Sequence, residues 1–223
     1  MALSKLKYNS LNVTAAASKA VGFDAGADDL SASISGGSMV FIKKLTASSS
    51  GDLSFVDGSA SVVFDDTYKE YMFTFKNIHP GTDEAHFQFQ TDTGTNTSYN
   101  QTITSTNFRA YHNEGGTAQG LGYITGDDQA QGTAFQNLSE NDVDGDNDVG
   151  LAGTLRIFNP SSSTFVKHFL AETVTIKNSA GGPYNIHAFV AGYFNTTTAL
   201  TRVRFKFDTG NIDAGDICLY GIS

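Results

Sequence analysis

The sequence predicts an all-β protein made of two packed antiparallel sheets. Three observations predict it. Val, Ile, Phe, Tyr and Thr supply most of the apolar and near-apolar content, alongside 23 Gly, only 3 Pro and no Trp, a composition suited to half-buried pleated surfaces. Apolar residues recur at every second position in short runs, and a helical period competes with this nowhere along the chain. Turn-forming residues separate the runs at intervals that give about ten strands in about 185 residues, the spacing of a sandwich.

In chain order, residues 1–38 stand apart. They are rich in Ala, Ser, Gly and Asp, with scattered apolar residues. Lys7–Thr14 (KYNSLNVT) reads as one short strand and the remainder as an extended arm. Alone, the arm could not bury enough apolar surface to offset its ordering entropy, so it is expected to lean on its own domain or on a neighbouring subunit. From residue 39 to 223 the chain reads as one domain.

Its strands are expected at 39–46 (MVFIKKLT), 51–57 (GDLSFVD, with Leu53 and Phe55 on one face) and 61–65 (SVVFD). Next come 68–79, with Tyr71, Phe73 and Phe75 pointing one way, then 86–92 and a Thr-rich extended stretch at 98–112. Residues 153–160 place Leu155 and Ile157 together. Residues 164–178 read as one long strand or two, and 185–195 as apolar enough to be buried on both sides. In 202–208, Val203, Phe205 and Phe207 point inward and Arg202, Arg204 and Lys206 outward; 216–222 closes the chain. Two apolar inner faces about 10 Å apart would form the core, which predicts a sandwich of jelly-roll type. Between Gly120 and Gly150 no strand is evident. Leu121, Tyr123, Ile124 and Phe135 are its expected anchors, and residues 115–152 read as a peripheral contact or display loop.

The formal charge is −9, which disfavours nucleic acid and anionic lipid as partners. One cysteine, Cys218, allows no intrachain disulfide and reads as a buried inert thiol. The start, MALSKLKYNSLNVT, lacks the apolar run of a secretory leader, and no stretch approaches the roughly 20 apolar residues of a membrane helix.

Ser139–Gly150 (SENDVDGDNDVG) crowds Asp142, Asp144, Asp146 and Asp148 two apart, and these are the candidate metal ligands. Asp142, Asp144 and Asp146 match positions 1, 3 and 5 of a twelve-residue calcium loop, but Asn147 replaces its Gly and Gly153 its bidentate Glu. The favoured alternative is a solvated acidic hairpin tip. The spacing Glu140-x-Asp142 also resembles the acid–nucleophile strand of some jelly-roll glucanases. Retention needs two carboxyls about 5.5 Å apart in a cleft, yet Gly145 stands where the second Glu belongs and no Trp offers a sugar platform. His79, His86, His112, His168 and His187 form no ligand-spaced pair. Tyr99, Tyr111 and Tyr123 lie near expected loops and are the candidate surface aromatics.

YKEYMFTFKNIHPGTD (68–83), TSTNFRAYHNE (104–114), FNPSSSTFVKHFLAE (158–172), AGYFNTTTALTRVRFKF (191–207) and TGNIDAGDICLYGIS (209–223) resemble bacteriophage virion structural proteins common in phages of marine bacteria and cyanobacteria. ALSKLKYNSLNVT resembles the head of fibre-type proteins in those phages. The resemblance runs from about Asp52 to the end, and the Asp-rich loop departs from it. It implies a non-enzymatic part of the virion, either a capsid decoration or a tail- or head-fibre module. Such a part would be a homo-oligomer, such as a trimer, among other virion proteins and anchored by residues 1–38. It carries over no catalytic residue and no cofactor. A glycan-binding adhesin that uses loop Tyr and the acidic loop, with calcium, is the competing expectation.

Overall fold

The computed structural model describes residues 22–23, 30–31, 38–140, 143–179 and 182–222. The chain divides into two units, Met1–Val40 and Phe41–Ser223. In the first, β1 (Gly22–Phe23) pairs antiparallel with β2 (Leu30–Ser31). The strand expected at Lys7–Thr14 lies outside the described residues.

The rest is strand and turn. The strands are β3 (Met39–Thr46), β4 (Leu53–Val56), β5 (Glu70–Pro80), β6 (Phe87–Thr93), β7 (Ile103–Asn113), β8 (Gln119–Tyr123), β9 (Ala130–Gly132) and β10 (Gln136–Asn137). They continue with β11 (Gly150–Phe158), β12 (Lys167–Lys177), β13 (Tyr184–Phe194), β14 (Leu200–Phe207) and β15 (Ile212–Ile222). A nine-stranded sheet runs β3-β15-β5-β11-β12-β13-β7-β8, with β9 also on β7, and a four-stranded sheet runs β10-β6-β14-β4. No helix is long and apolar enough to cross a membrane among the described residues.

Alternation produces the core. From the small sheet, Phe55, Phe87, Phe89, Val203, Phe205 and Phe207 point inward. From the large sheet, Tyr71, Phe73, Phe75, Leu155, Ile157, Phe169 and Leu219 meet them, all in one buried cluster. Phe205 lies at its centre, with ring centroids of Phe73, Phe75 and Phe87 at 5.1, 5.3 and 6.0 Å. The inward residues expected on β4, β5, β11 and β14 are the buried ones.

Four expectations need correction. Residues 61–65 form no strand. The chain turns sharply after β4, with Ala60 and Ser61 at positive φ. Asp57 Oδ1 accepts the Phe64 N–H at 2.9 Å, so Val62 and Phe64 enter the core from a loop. The extended stretch at 98–112 becomes strand only at Ile103, because Tyr99 takes positive φ and donates its N–H to Asp92 Oδ2 at 2.7 Å. β13 is buried on one face only. Its outward residues, including His187, Phe189 and Tyr193, lie on the uncovered side of the large sheet.

The fourth correction concerns 120–150. This run holds β8, β9 and β10, and of its expected anchors Ile124 and Phe135 are half-buried while the other two are not anchors. Leu121 and Tyr123 are exposed, whereas Gln136, Leu138, Ser139, Glu140 and Val143 are buried. Gln136 and Asn137 form β10 at the edge of the small sheet, and residues 138–140 continue from it against the large one. Ser105 Oγ on β7 donates to Gln136 Oε1 at 2.6 Å, and Thr173 Oγ1 on β12 donates to the Leu138 carbonyl at 2.5 Å. Part of the expected display loop, from Gln136 to Glu140, therefore covers the core, sealed by polar contacts that hydropathy does not signal.

The residues 164–178 form the single strand β12. It begins at Lys167, whose buried Nζ donates to the carbonyls of Thr196 and Thr198 at 3.2 and 2.8 Å. Burial pushes the Lys167 pKa down. The lysine closes the turn between β13 and β14 by occupying carbonyls that the sheet leaves over.

Candidate functional site

The acidic stretch is woven into the protein. Val143 bridges Ala85, and both are wholly buried. Asp144 is buried, and its Oδ2 accepts the Asn178 N–H at 2.8 Å; Asp146 Oδ2 accepts Asn178 Nδ2–H at 3.0 Å. The Gly145 N–H donates to Asp83 Oδ1 at 2.8 Å. Asp148 is exposed, and Asp142 lies outside the described residues. Among the described residues, no three His, Cys, Asp or Glu side chains group as metal ligands. The solvated tip is thus short, 145–148, because Val143 and Val149 are both held in the interior.

Glu140 lies under the large sheet, not in a cleft. Its Oε1 accepts from Arg109 Nη1 on β7. Burial pushes the Glu140 carboxyl above its usual range, and Arg109 opposes that rise in part. The folded chain therefore holds a proton that the unfolded chain releases at lower pH. This group's contribution falls as pH rises from the usual glutamate range to the raised value. Urea midpoints against pH, wild type minus Glu140→Gln, should decline across that window. A flat difference would count against a raised Glu140.

Of the candidate tyrosines, Tyr99 is buried beneath the Arg204 guanidinium, 3.9 Å from the ring centroid. Tyr111 is half-buried, with Arg109 4.8 Å over its ring. Only Tyr123 is exposed, its hydroxyl donating to Asp128 Oδ2 at 2.5 Å. The histidines are dispersed: His79 is 3.3 Å from Asn77 Oδ1, His86 3.4 Å from Asp208 and His187 2.7 Å from Glu172. His168 lies beside Tyr193 and His112 is exposed. Cys218 is buried and free.

A different feature stands out: the outward face of the large sheet. Antiparallel register aligns its outward residues in rungs. One rung runs Thr154, Glu172, Phe189, Phe108, Tyr123 across β11, β12, β13, β7 and β8; the next runs Ala152, Val174, His187, Ala110, Leu121. Phe108 and Phe189 stack at 4.8 Å, 10° from parallel. Leu121 is 76% exposed, Tyr123 53%, Leu170 47% and Phe108 42%, with Val174 and Ile176 close behind. These are six of the nine large exposed apolar residues among the described residues, so apolar exposure is concentrated here and not scattered. Arg156 on this face pairs with Glu70 on β5, and Glu172 lies 2.7 Å from the His187 ring.

Hollows in this face are shallow. One of about 270 Å³ is lined by Phe108, Arg156, Leu170 and Phe189, and another of about 440 Å³ by Phe158, His168, Leu170 and Tyr193. Contiguous apolar surface of this kind marks a contact surface more often than a reaction cleft. The sequence did carry a signal for it. In 168–176, His, Leu, Glu, Val and Ile occupy alternate positions, so that strand is apolar on both faces. No protein-family model matches the chain, and no curated protein and no solved structure matches it.

Proposed function

We propose that the protein is a non-enzymatic structural component of a bacteriophage particle, a capsid decoration or a tail- or head-fibre module, that works through assembly contacts. The observation that carries this reading is the apolar, sparsely charged outer face of the large sheet. A particle component needs a broad contact surface with little internal chemistry, and interfaces are built from such aromatic and aliphatic patches. The resemblance of 68–83, 158–172 and 191–223 to virion proteins points the same way.

The fold we assign is a jelly roll. Supporting it is the order of eight strands taken in chain sequence: β3, β4, β5, β6, β10, β11, β14 and β15. The large sheet contains the first, eighth, third and sixth as neighbours, and the small sheet the second, seventh, fourth and fifth. That is the arrangement of two Greek keys. On this reading β7–β9 and β12–β13 are insertions that widen one sheet, and the insertions carry most of the apolar face. Function grafted onto a common frame commonly takes this form.

Antibody labelling of intact particles from a phage that carries the gene should decorate a fixed position on the virion. Recovery only from the soluble fraction of infected cells would overturn the proposal. A second reading, a glycan-binding adhesin assisted by calcium at the acidic stretch, draws on exposed Tyr123 beside Phe108, a pair that could stack on a sugar ring. Glycan binding by the pure protein that disappears with chelator would favour it over the architectural reading.

A further inference from the structure

We propose that the outer face of β11, β12, β13, β7 and β8 is covered by the same face of a second copy of this chain. The inference rests on the assembly reading and names its partner and its contact surface.

The first argument is size. β7, β12 and β13 have 11 residues each and β11 has 9. At about 3.4 Å per residue and about 4.8 Å between strands, these four strands present roughly 37 by 19 Å, or about 700 Å². A stable protein–protein interface covers about 800 Å² on each partner. The face, with β8 extending it, is the right size for one such contact.

The second argument is charge. The chain carries −9, so most ways of bringing two copies together oppose like charges. Here the formally charged outward residues of the five strands are Arg156 and Glu172, one of each sign. Two copies meeting on this face bring no net charge to the contact. A partner selected by electrostatics would need a charged patch to read, and this face offers one residue of each sign.

The third argument is shape. The face consists of regular strand with shallow hollows, and leucine, valine and aromatic side chains rise from it in register. A face that packs on its own copy is used identically by both partners, which closes the assembly without an open-ended chain.

The test is sedimentation of the full chain, wild type and Leu170→Glu/Val174→Glu, at about 1 to 100 µM, a span that populates a dimer of micromolar Kd or tighter. Both substituted residues are exposed, so the folded state should survive, and near-ultraviolet circular dichroism checks that it does. Wild type should sediment above the 23.7 kDa monomer, and the folded double variant should be monomeric over the whole range. A monomeric wild type would overturn the inference, as would a folded variant that associates like wild type. If the substitutions unfold the chain, Leu121→Glu on β8 replaces them, with the same two outcomes. Labelling of the particle separates this result from the broader reading: a monomer that is nevertheless found on virions sinks the self-contact alone.

Discussion

Phe205→Ala should cost about 3–5 kcal/mol, read as a fall in the urea midpoint at unchanged slope. Phe205 is wholly buried on β14 and its ring meets five others: Phe55, Phe73, Phe75, Phe87 and Phe89. Those rings come from both sheets, so truncation opens a cavity at the plane where the sheets meet. Backbone hydrogen bonding fixes the strands on each side, and the walls cannot collapse to fill it. Phe205→Leu should lose less, because more of the volume is kept. The contrast is Phe165→Ala, at a largely exposed residue between β11 and β12, which should stay within about 0.5 kcal/mol. Equal losses at the two positions would mean that the sheets do not pack through Phe205.

Asp92→Ala should cost about 3–4 kcal/mol, for a different reason. Asp92 is buried at the end of β6. Its Oδ1 accepts from the Thr93 N–H, Asn96 Nδ2 and Gln101 Nε2 at 2.9, 2.9 and 3.0 Å, and its Oδ2 accepts the Tyr99 N–H. One carboxylate thus organises the whole connection from β6 to β7. Alanine leaves those donors without their acceptor in a region that water reaches poorly. Asp92→Asn should lose less, since an amide oxygen can still accept. Loosening should be concentrated at 93–101, measurable as faster amide exchange there than in β12. Uniform exchange across the chain would argue that Asp92 does not act locally. Either loss is a large part of the roughly 5–15 kcal/mol that holds a typical domain together.

These two sites differ in how visible they are in the sequence. Phe205 is legible because Arg202, Arg204 and Lys206 alternate with Val203, Phe205 and Phe207, and only one phase of that pattern can face a core. Asp92 is not legible. It follows the alternating FQFQ of β6, and nothing local distinguishes it from the exposed Asp148. Its role comes from four donors spread over 93–101 that fold back onto it. Lys167 and Glu140 are hidden for the same reason: each is buried by residues about 30 positions away, Thr196 and Thr198 in one case and Arg109 in the other.

The candidate surface divides along the same line. The acidic stretch drew attention because charge density is a local property. Its depth was invisible, since Val143 is drawn inward by Ala85 in the β5–β6 connection. The apolar face was half visible. Both phases of 168–176 hold apolar residues, which reads equally as a strand covered twice or as one left open. Only the count of layers resolves that choice. The small sheet and residues 138–140 are on one side of the large sheet, and on the other Phe108, Leu170, Val174 and Ile176 are exposed.

Period-two patterning was enough to settle that residues 39–222 are built on strands and which side chains on β4, β5, β11 and β14 turn inward. The pleat ties each residue's face to its immediate neighbours, and that information is local. Strand order, the burial of 138–140 and Val143, and the apolar face left open were decided by pairing between segments far apart in the chain. Many pairings satisfy the same alternation, and only their joint hydrogen bonding and packing select one.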